Sequence, residues 1–193
     1  MISKALVFLK NQLNAHLNVK SGTLHGTAEE VVVFVDDDKM DPINFKVQAV
    51  SALLINIEEE KTLRDPDRYA CRSTDGDPQK TQPDIRLNLY VLFAVRFKQY
   101  EDGLSNLSLI IRYFQQHRVF NHQNAPELSD DIEQLVMELI TLPLPEQNDL
   151  WNALRTTYHP SVLYKVKMVV IRDEEVVATP TVNKTDRQIG ASS

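Results

Sequence analysis

The chain has 193 residues, 42% hydrophobic and 25% charged, with 27 acidic against 21 basic side chains and a formal net charge of −6. That length supports one well-buried core, and the composition is that of a globular domain rather than of a disordered chain. The acidic excess argues against a nucleic-acid groove, which draws on clustered Lys and Arg, and the single cysteine, Cys71, excludes an intrachain disulfide and fits a reducing compartment.

The N-terminal segment (MISKALVFLKNQLNAHL) places Ile2, Leu6, Leu9, Leu13 and Leu17 on one helical stripe. Lys10 interrupts its apolar run and no small-residue cleavage site follows, so it reads as a helix and not as a signal peptide. No apolar stretch in the chain approaches the roughly 18 to 20 residues a membrane span needs. The stretch from Gly22 to Gly26 breaks the period, and Glu30 to Val35 (EVVVFV) is a β-branched strand candidate that ends in Asp36, Asp37 and Asp38. Phe45 to Ile57 predicts a second strand ending in Glu58, Glu59 and Glu60, and with the first it predicts a hairpin-like pair. Residues 62–84 are rich in proline and small polar groups, which makes a connection far longer than the usual ~4 to 6 residues and a candidate binding loop.

Arg86 to His117 carries the strongest signal, a long strand (RLNLYVLFAVRF) running almost directly into an amphipathic helix (KQYEDGLSNLSLIIRYFQQH). Leu87, Leu89, Val91, Phe93, Val95 and Phe97 alternate on one face. Arg86, Asn88 and Arg96 make the other face polar only at its ends, with Tyr90, Leu92 and Ala94 between them, so the middle of this strand is predicted to be covered on both sides. Leu104, Leu107, Ile111 and Phe114 are the expected helix stripe, with Glu101 and Asp102 near its start and Arg112, His117 and Arg118 toward its end. Four buried side chains gain about 1.5 to 3 kcal/mol each, whereas each ordered backbone residue costs about 1 to 2 kcal/mol. The helix is therefore stable only when docked on the neighbouring sheet.

Ile132 to Leu142 (IEQLVMELITL) satisfies both a helical stripe and strand alternation, and periodicity leaves the choice open. Pro143 and Pro145 stop it, and Pro145, Glu146 and Asp149 begin a short helix through Trp151 and Leu154 to Arg155, with Trp151 as a core plug. Val162 to Arg172 is the last strand, and from Thr179 onward the tail has no period and reads as an arm. The domain is accordingly expected over residues 1–172, with 173–193 as an extended or partly disordered C-terminal arm.

Motifs of chemistry are missing. Consecutive acids on a strand point to opposite faces, so neither acidic triplet converges on a metal ion by itself. The histidines have no zinc spacing, no glycine pattern cradles phosphate, and Cys71 sits in a polar loop with no histidine partner in its neighbourhood. The residues support no catalytic, cofactor-binding or metal assignment. Besides a structural subunit they leave open a small-ligand or peptide-binding module using the 62–84 loop, and a metal-dependent hydrolase built from the acidic clusters.

Four stretches taken together carry a resemblance: ISKALVFLKNQLNAHL at the start, LLINIEEEKTLR at 53–64, PDIRLNLYVLFAVRFKQYEDGLSNLSLIIRYFQ at 83–115, and LWNALRTTYHPSVLYKVKMVVI at 150–171. They resemble the cap, or tail-terminator, proteins of phage-tail-like contractile injection systems of the antifeeding-prophage type. The resemblance implies an α+β fold with a mixed or largely antiparallel sheet flanked by helices, which makes Gln134 to Leu142 a strand. It also implies a non-enzymatic subunit without cofactor, forming a hexameric ring on the end of the inner tube and contractile sheath. Such a subunit would be cytoplasmic at synthesis and assembly and part of a particle that can be released, with no nucleic acid among its partners. A ring needs a heterologous interface whose rotation closes. On this reading Glu58, Glu59, Lys61 and Arg64 are the expected ring ion pairs. Val176, Val177, Thr179, Thr181 and Val182 in the arm are the expected sheath or tube contact, made by strand addition.

Overall fold

Nine elements follow one another in the computed structural model, which describes residues 1–20, 30–35, 43–60 and 85–170. They are α1 (Ile2–Lys20), β1 (Val32–Phe34), β2 (Ala49–Glu59), β3 (Ile85–Arg96), α2 (Tyr100–Gln116), β4 (Val119–Asn121), β5 (Ile132–Ile140), α3 (Leu144–Ala153) and β6 (Ser161–Val170). The strands form one six-stranded sheet in the order β1-β2-β3-β6-β5-β4, antiparallel throughout except for β1 and β2. This is the expected α+β architecture, and its described residues all fall in one compact unit comprising Met1–Arg64 and Asp84–Arg172. The 62–84 loop, Cys71, the Asp36–Asp38 triplet and the arm from residue 171 onward lie outside the described residues.

Strand β3 is central, bonded to β2 on one side and to β6 on the other, and its middle is covered on both faces as its residue pattern predicts. Leu89, Val91, Phe93 and Val95 enter a large core with α1, α2, Tyr164, Val166 and Met168. Leu92 and Ala94 enter a second, smaller core on the opposite face with Phe45, Trp151 and Leu163. Trp151 is the plug that α3 was expected to supply, its ring edge-on to Phe45 at 5.8 Å. Helix α1 buries Leu9, Leu13 and Leu17 as the stripe requires, together with Ala5 and Phe8. Strand β5 settles the ambiguity at 132–142 in favour of a strand, because Ile132, Leu135 and Met137 are all needed in the large core beside β6.

Three expectations need correction. The predicted hairpin is a parallel pair, with Val32 opposite Val50 and Phe34 opposite Ala52. A parallel pair requires a crossover rather than a tight turn, and residues 35–48 supply the length. Strand β2 starts at Ala49 rather than Phe45, since Gln48 has φ 62 and cannot continue a strand. The backbone N–H of Gln48 bonds the carbonyl of Arg96 at 2.6 Å, and its side-chain oxygen accepts the N–H of Lys98 at 3.0 Å. Phe45 is thereby left free to turn into the second core.

The buried stripe of α2 is also rotated from the predicted one, since Gly103, Leu107, Ile110, Tyr113 and Phe114 are buried while Leu104 is 40% exposed and Ile111 half-buried. The cause is close approach to β3: a Cβ on Gly103 would lie 3.2 Å from Cγ2 of Val95. The glycine face, not the leucine beside it, therefore meets the sheet. His117 caps the helix, its backbone N–H bonding the carbonyl of Tyr113 at 2.9 Å.

Helix α1 is fastened to both margins of the sheet. At one margin the Asn14 side chain accepts the backbone N–H of Val32 at 2.8 Å and donates to the carbonyl of the same residue at 2.9 Å. At the other, Phe8 packs edge-on against Phe120 of β4 at 5.3 Å, and Lys4 pairs with Asp131. The backbone groups that β1 would present outward at Val32 are thus satisfied from within the chain.

Candidate assembly surface

The two faces of the sheet end differently. On the face of the second core, α3 and Phe45 cover the half where Leu92, Ala94 and Leu163 lie. The other half continues as polar rows across four strands. Cross-strand register places Glu58 beside Asn88, Asn88 beside Lys167 and Lys167 beside Val136. The next row holds Asn56, Tyr90, Lys165 and Glu138. Strand alternation dictates this, because the residues two apart on each strand share a face and each strand changes from apolar to polar at the same level.

These side chains form several bonded groups. The Tyr90 hydroxyl donates to Glu58 Oε2 at 2.8 Å, and the Asn56 amide donates to Glu58 Oε1 at 3.3 Å. Asn88 Nδ2 donates to Glu60 Oε2 at 3.0 Å, Lys167 Nζ bonds Glu138 Oε2 at 2.8 Å, and Lys165 Nζ stands 5.7 Å from the centre of the Tyr90 ring. The Glu58 hydrogen bond, then burial and the nearby carboxylates, hold the Tyr90 hydroxyl above its ordinary pKa. The Lys167 bond holds Glu138 below the ordinary carboxylate range, against a smaller opposing effect of burial. Acidic and basic side chains thus stand together on one half of this sheet face.

A cleft of about 240 Å³ opens beside Trp151, between the end of β5, α3 and the start of β6. Leu92, Ile140, Leu142, Leu150 and Leu163 give it apolar walls, and none of its lining side chains is ionisable. Trp151 Nε1 is buried with no acceptor among the described residues. His159 packs on Phe45 and Trp151, and burial, aided by the charge of Arg96, lowers its pKa. Among the described residues no three His, Cys, Asp or Glu side chains are grouped to hold a metal ion, and no helix is long and apolar enough to cross a membrane.

Of the residues expected at contacts, Glu58 and Glu59 lie exposed at the end of β2. Lys61 and Arg64, with Val176, Val177, Thr179, Thr181 and Val182 of the arm, lie outside the described residues. Sequence reasoning missed Tyr90, Glu138, Lys165 and Lys167 as neighbours of Glu58. The signal was present in Lys165 and Lys167, two lysines on one face of an otherwise apolar strand.

Comparison with known proteins adds the following. The family model described as the Pvc16 N-terminal domain matches residues 6–184. No curated protein matches the sequence. Among solved structures, the fold is similar to that of the PVC sheath/tube terminator of an extracellular contractile injection system, in its extended state. The TM-score is 0.58 at 16% identity, over 100% of this chain and 65% of that one, so the chain spans somewhat less than two thirds of the solved protein's length. A second similar structure is the anti-feeding prophage tube-terminating cap, with a TM-score of 0.49 at 14% identity over 72% of this chain and 48% of that one.

Proposed function

Because this chain belongs to the Pvc16 N-terminal domain family, we propose that it is a non-enzymatic structural cap of a contractile injection particle. It forms a ring of six subunits on the end of the inner tube and sheath. There it ends tube growth and holds the last sheath layer. The observation that carries this is the family match over nearly the whole chain, joined to a fold shared with a solved sheath/tube terminator.

The surface chemistry supports a role in assembly. A cap needs one face that fits a polymer end and one that refuses a further subunit. The half-sheet from Glu58 to Glu138, with its acids and lysines side by side, suits the first through charge pairing. The walls of the Trp151 cleft carry no acid or base to drive chemistry. The arm beginning after β6 is proposed as the sheath contact, with synthesis and assembly in the cytoplasm before any release of the particle.

Sedimentation of the purified protein with assembled inner tubes, followed by negative-stain imaging, tests the proposal. Rings seated at tube ends, and none along the shaft, are expected. A protein that stays in the supernatant and leaves both tube and sheath ends bare would refute it.

A further inference from the structure

Strand β5 ends before its ladder with β6 is complete. The last pair is Ile140 with Leu163, so a continuing β5 would set Leu142 opposite Ser161, the first residue of β6. The chain turns at Pro143 into α3 instead. Where the Ser161 backbone points follows from the ladder on its other side. In an antiparallel pair, opposite residues alternately bond each other and turn their N–H and C=O away. The Val95 N–H bonds the Pro160 carbonyl at 3.0 Å, and Ser161, next along and opposite Ala94, therefore turns both of its groups away from β3. They point into the place that Leu142 would have taken. The alternation along β5 agrees: Met137 bonds outward to Arg118 at 2.8 Å, so Ile140 faces Leu163. Among the described residues neither the N–H nor the carbonyl of Ser161 has a partner.

The gap between the two strands is the cleft beside Trp151, with Thr141 and Leu142 on one side and Ser161 on the other. We infer that it binds an extended, uncharged peptide segment of a partner protein, which takes the place Leu142 leaves beside β6. One residue of the segment exchanges N–H and C=O bonds with Ser161, and an aliphatic side chain of the segment lies against Ile140, Leu142 and Trp151. The chemistry of the gap selects this occupant. A donor and an acceptor from a single backbone residue are matched together by another peptide unit, whereas an anion or a cation satisfies one and leaves the other bare. None of the lining side chains is ionisable, so a charged segment would lose its hydration without compensation. Backbone bonds then supply the affinity and the apolar pocket the choice of side chain, as in other strand additions. The site does not depend on the cap reading, and it is distinct from the 62–84 loop.

The test titrates a capped tetrapeptide of alternating valine and alanine into the full-length protein, followed by the emission of Trp151, the single tryptophan, and by the amide resonance of Ser161. A saturable change in both is expected, with the Ser161 N–H moving downfield as it gains an acceptor. The same peptide N-methylated at every residue keeps its apolar side chains but has no donors, and it should bind about tenfold more weakly or not at all. Ser161→Pro removes an N–H that the fold does not use, and should keep the circular dichroism of the parent while losing the peptide. The methylated peptide tests the pairing even where Ser161→Pro unfolds. Equal binding of the methylated peptide, undiminished binding by a folded Ser161→Pro, or a titration without saturable response would each overturn the inference. A Ser161 N–H already protected from hydrogen exchange without peptide would mean that this chain or a second copy fills the gap, and would overturn the partner.

Discussion

Replacing Asn14 tests whether one amide holds the β1 margin of the sheet. Asn14 and Val32 are both buried, and the amide bonds both the N–H and the carbonyl of Val32. In Asn14→Ala both groups lose their partner. A buried unpaired backbone group costs about 1 to 3 kcal/mol, and water can reach an edge strand once the amide is gone, so the expected loss is near the low end of the sum, about 2 to 3 kcal/mol. Asn14→Asp separates the two bonds. Its carboxylate still accepts the N–H but turns a second oxygen toward the Val32 carbonyl, so at neutral pH the variant should be no more stable than Asn14→Ala. That repulsion and burial raise the folded pKa of the new acid above its unfolded value of about 3.9. The deficit of Asn14→Asp relative to the parent should therefore shrink as pH falls through the raised folded value, when the protonated acid regains a donor. Urea unfolding followed by the fluorescence of the single tryptophan, Trp151, measures all three proteins. An Asn14→Ala variant within about 0.5 kcal/mol of the parent, or an Asn14→Asp deficit that grows on acidification, would refute the reasoning.

Other consequences can be measured in the same way. Trp151→Ala should lose about 3 to 5 kcal/mol through the emptied second core, whereas Trp151→Phe should lose clearly less, since Nε1 has no described acceptor to forfeit; unfolding would be followed by circular dichroism. Gly103→Val should destabilise, because even a Cβ there stands 3.2 Å from Val95, and thermal unfolding would show the loss. His159 has its folded pKa depressed by burial. Stability should thus be complete above its unfolded pKa of about 6.5 and decline as pH falls from there through the folded value, and His159→Phe should flatten that slope in a pH series of urea midpoints. Glu138 has its pKa lowered by Lys167, so its contribution should be present above the unfolded carboxylate pKa and disappear as pH falls through the folded one. For so exposed a pair the effect should stay under about 1 kcal/mol, as Lys167→Met would show.

The elements that were legible in the sequence are those whose burial pattern repeats within one segment. β3 declared two covered faces through its two alternating sets, and α1 declared one stripe, because each set is a local property of consecutive residues. Ile132 to Ile140 did not declare itself, since its residues satisfy both periods and only the demand of β6 for a partner decides between them. The parallel pairing of β1 was illegible for a related reason: the direction of pairing depends on where residues 35–48 travel, and no residue of β1 or β2 encodes that. Gly103 turned the predicted face of α2 by permitting a close approach to Val95, a fact about two elements at once. At the candidate assembly surface, Glu58 was visible as part of a charge run, but Asn88 and Lys167 of its row and Tyr90, Lys165 and Glu138 of the next come from three other strands and meet only through register. Arg118 was read as a helix-end cation, and its place beside Met137 of β5 follows from the pairing of β4 with β5.

The central claim is that this subunit ends a tube, and particle length measures it most directly. Particles would be imaged from cells producing all other components with and without this chain. With the chain present, tubes of one length bearing a ring-shaped density at one end are predicted. Without it, tubes should run to variable lengths with bare ends and poorly held sheaths. A length distribution and terminal density unchanged by its removal would contradict the account.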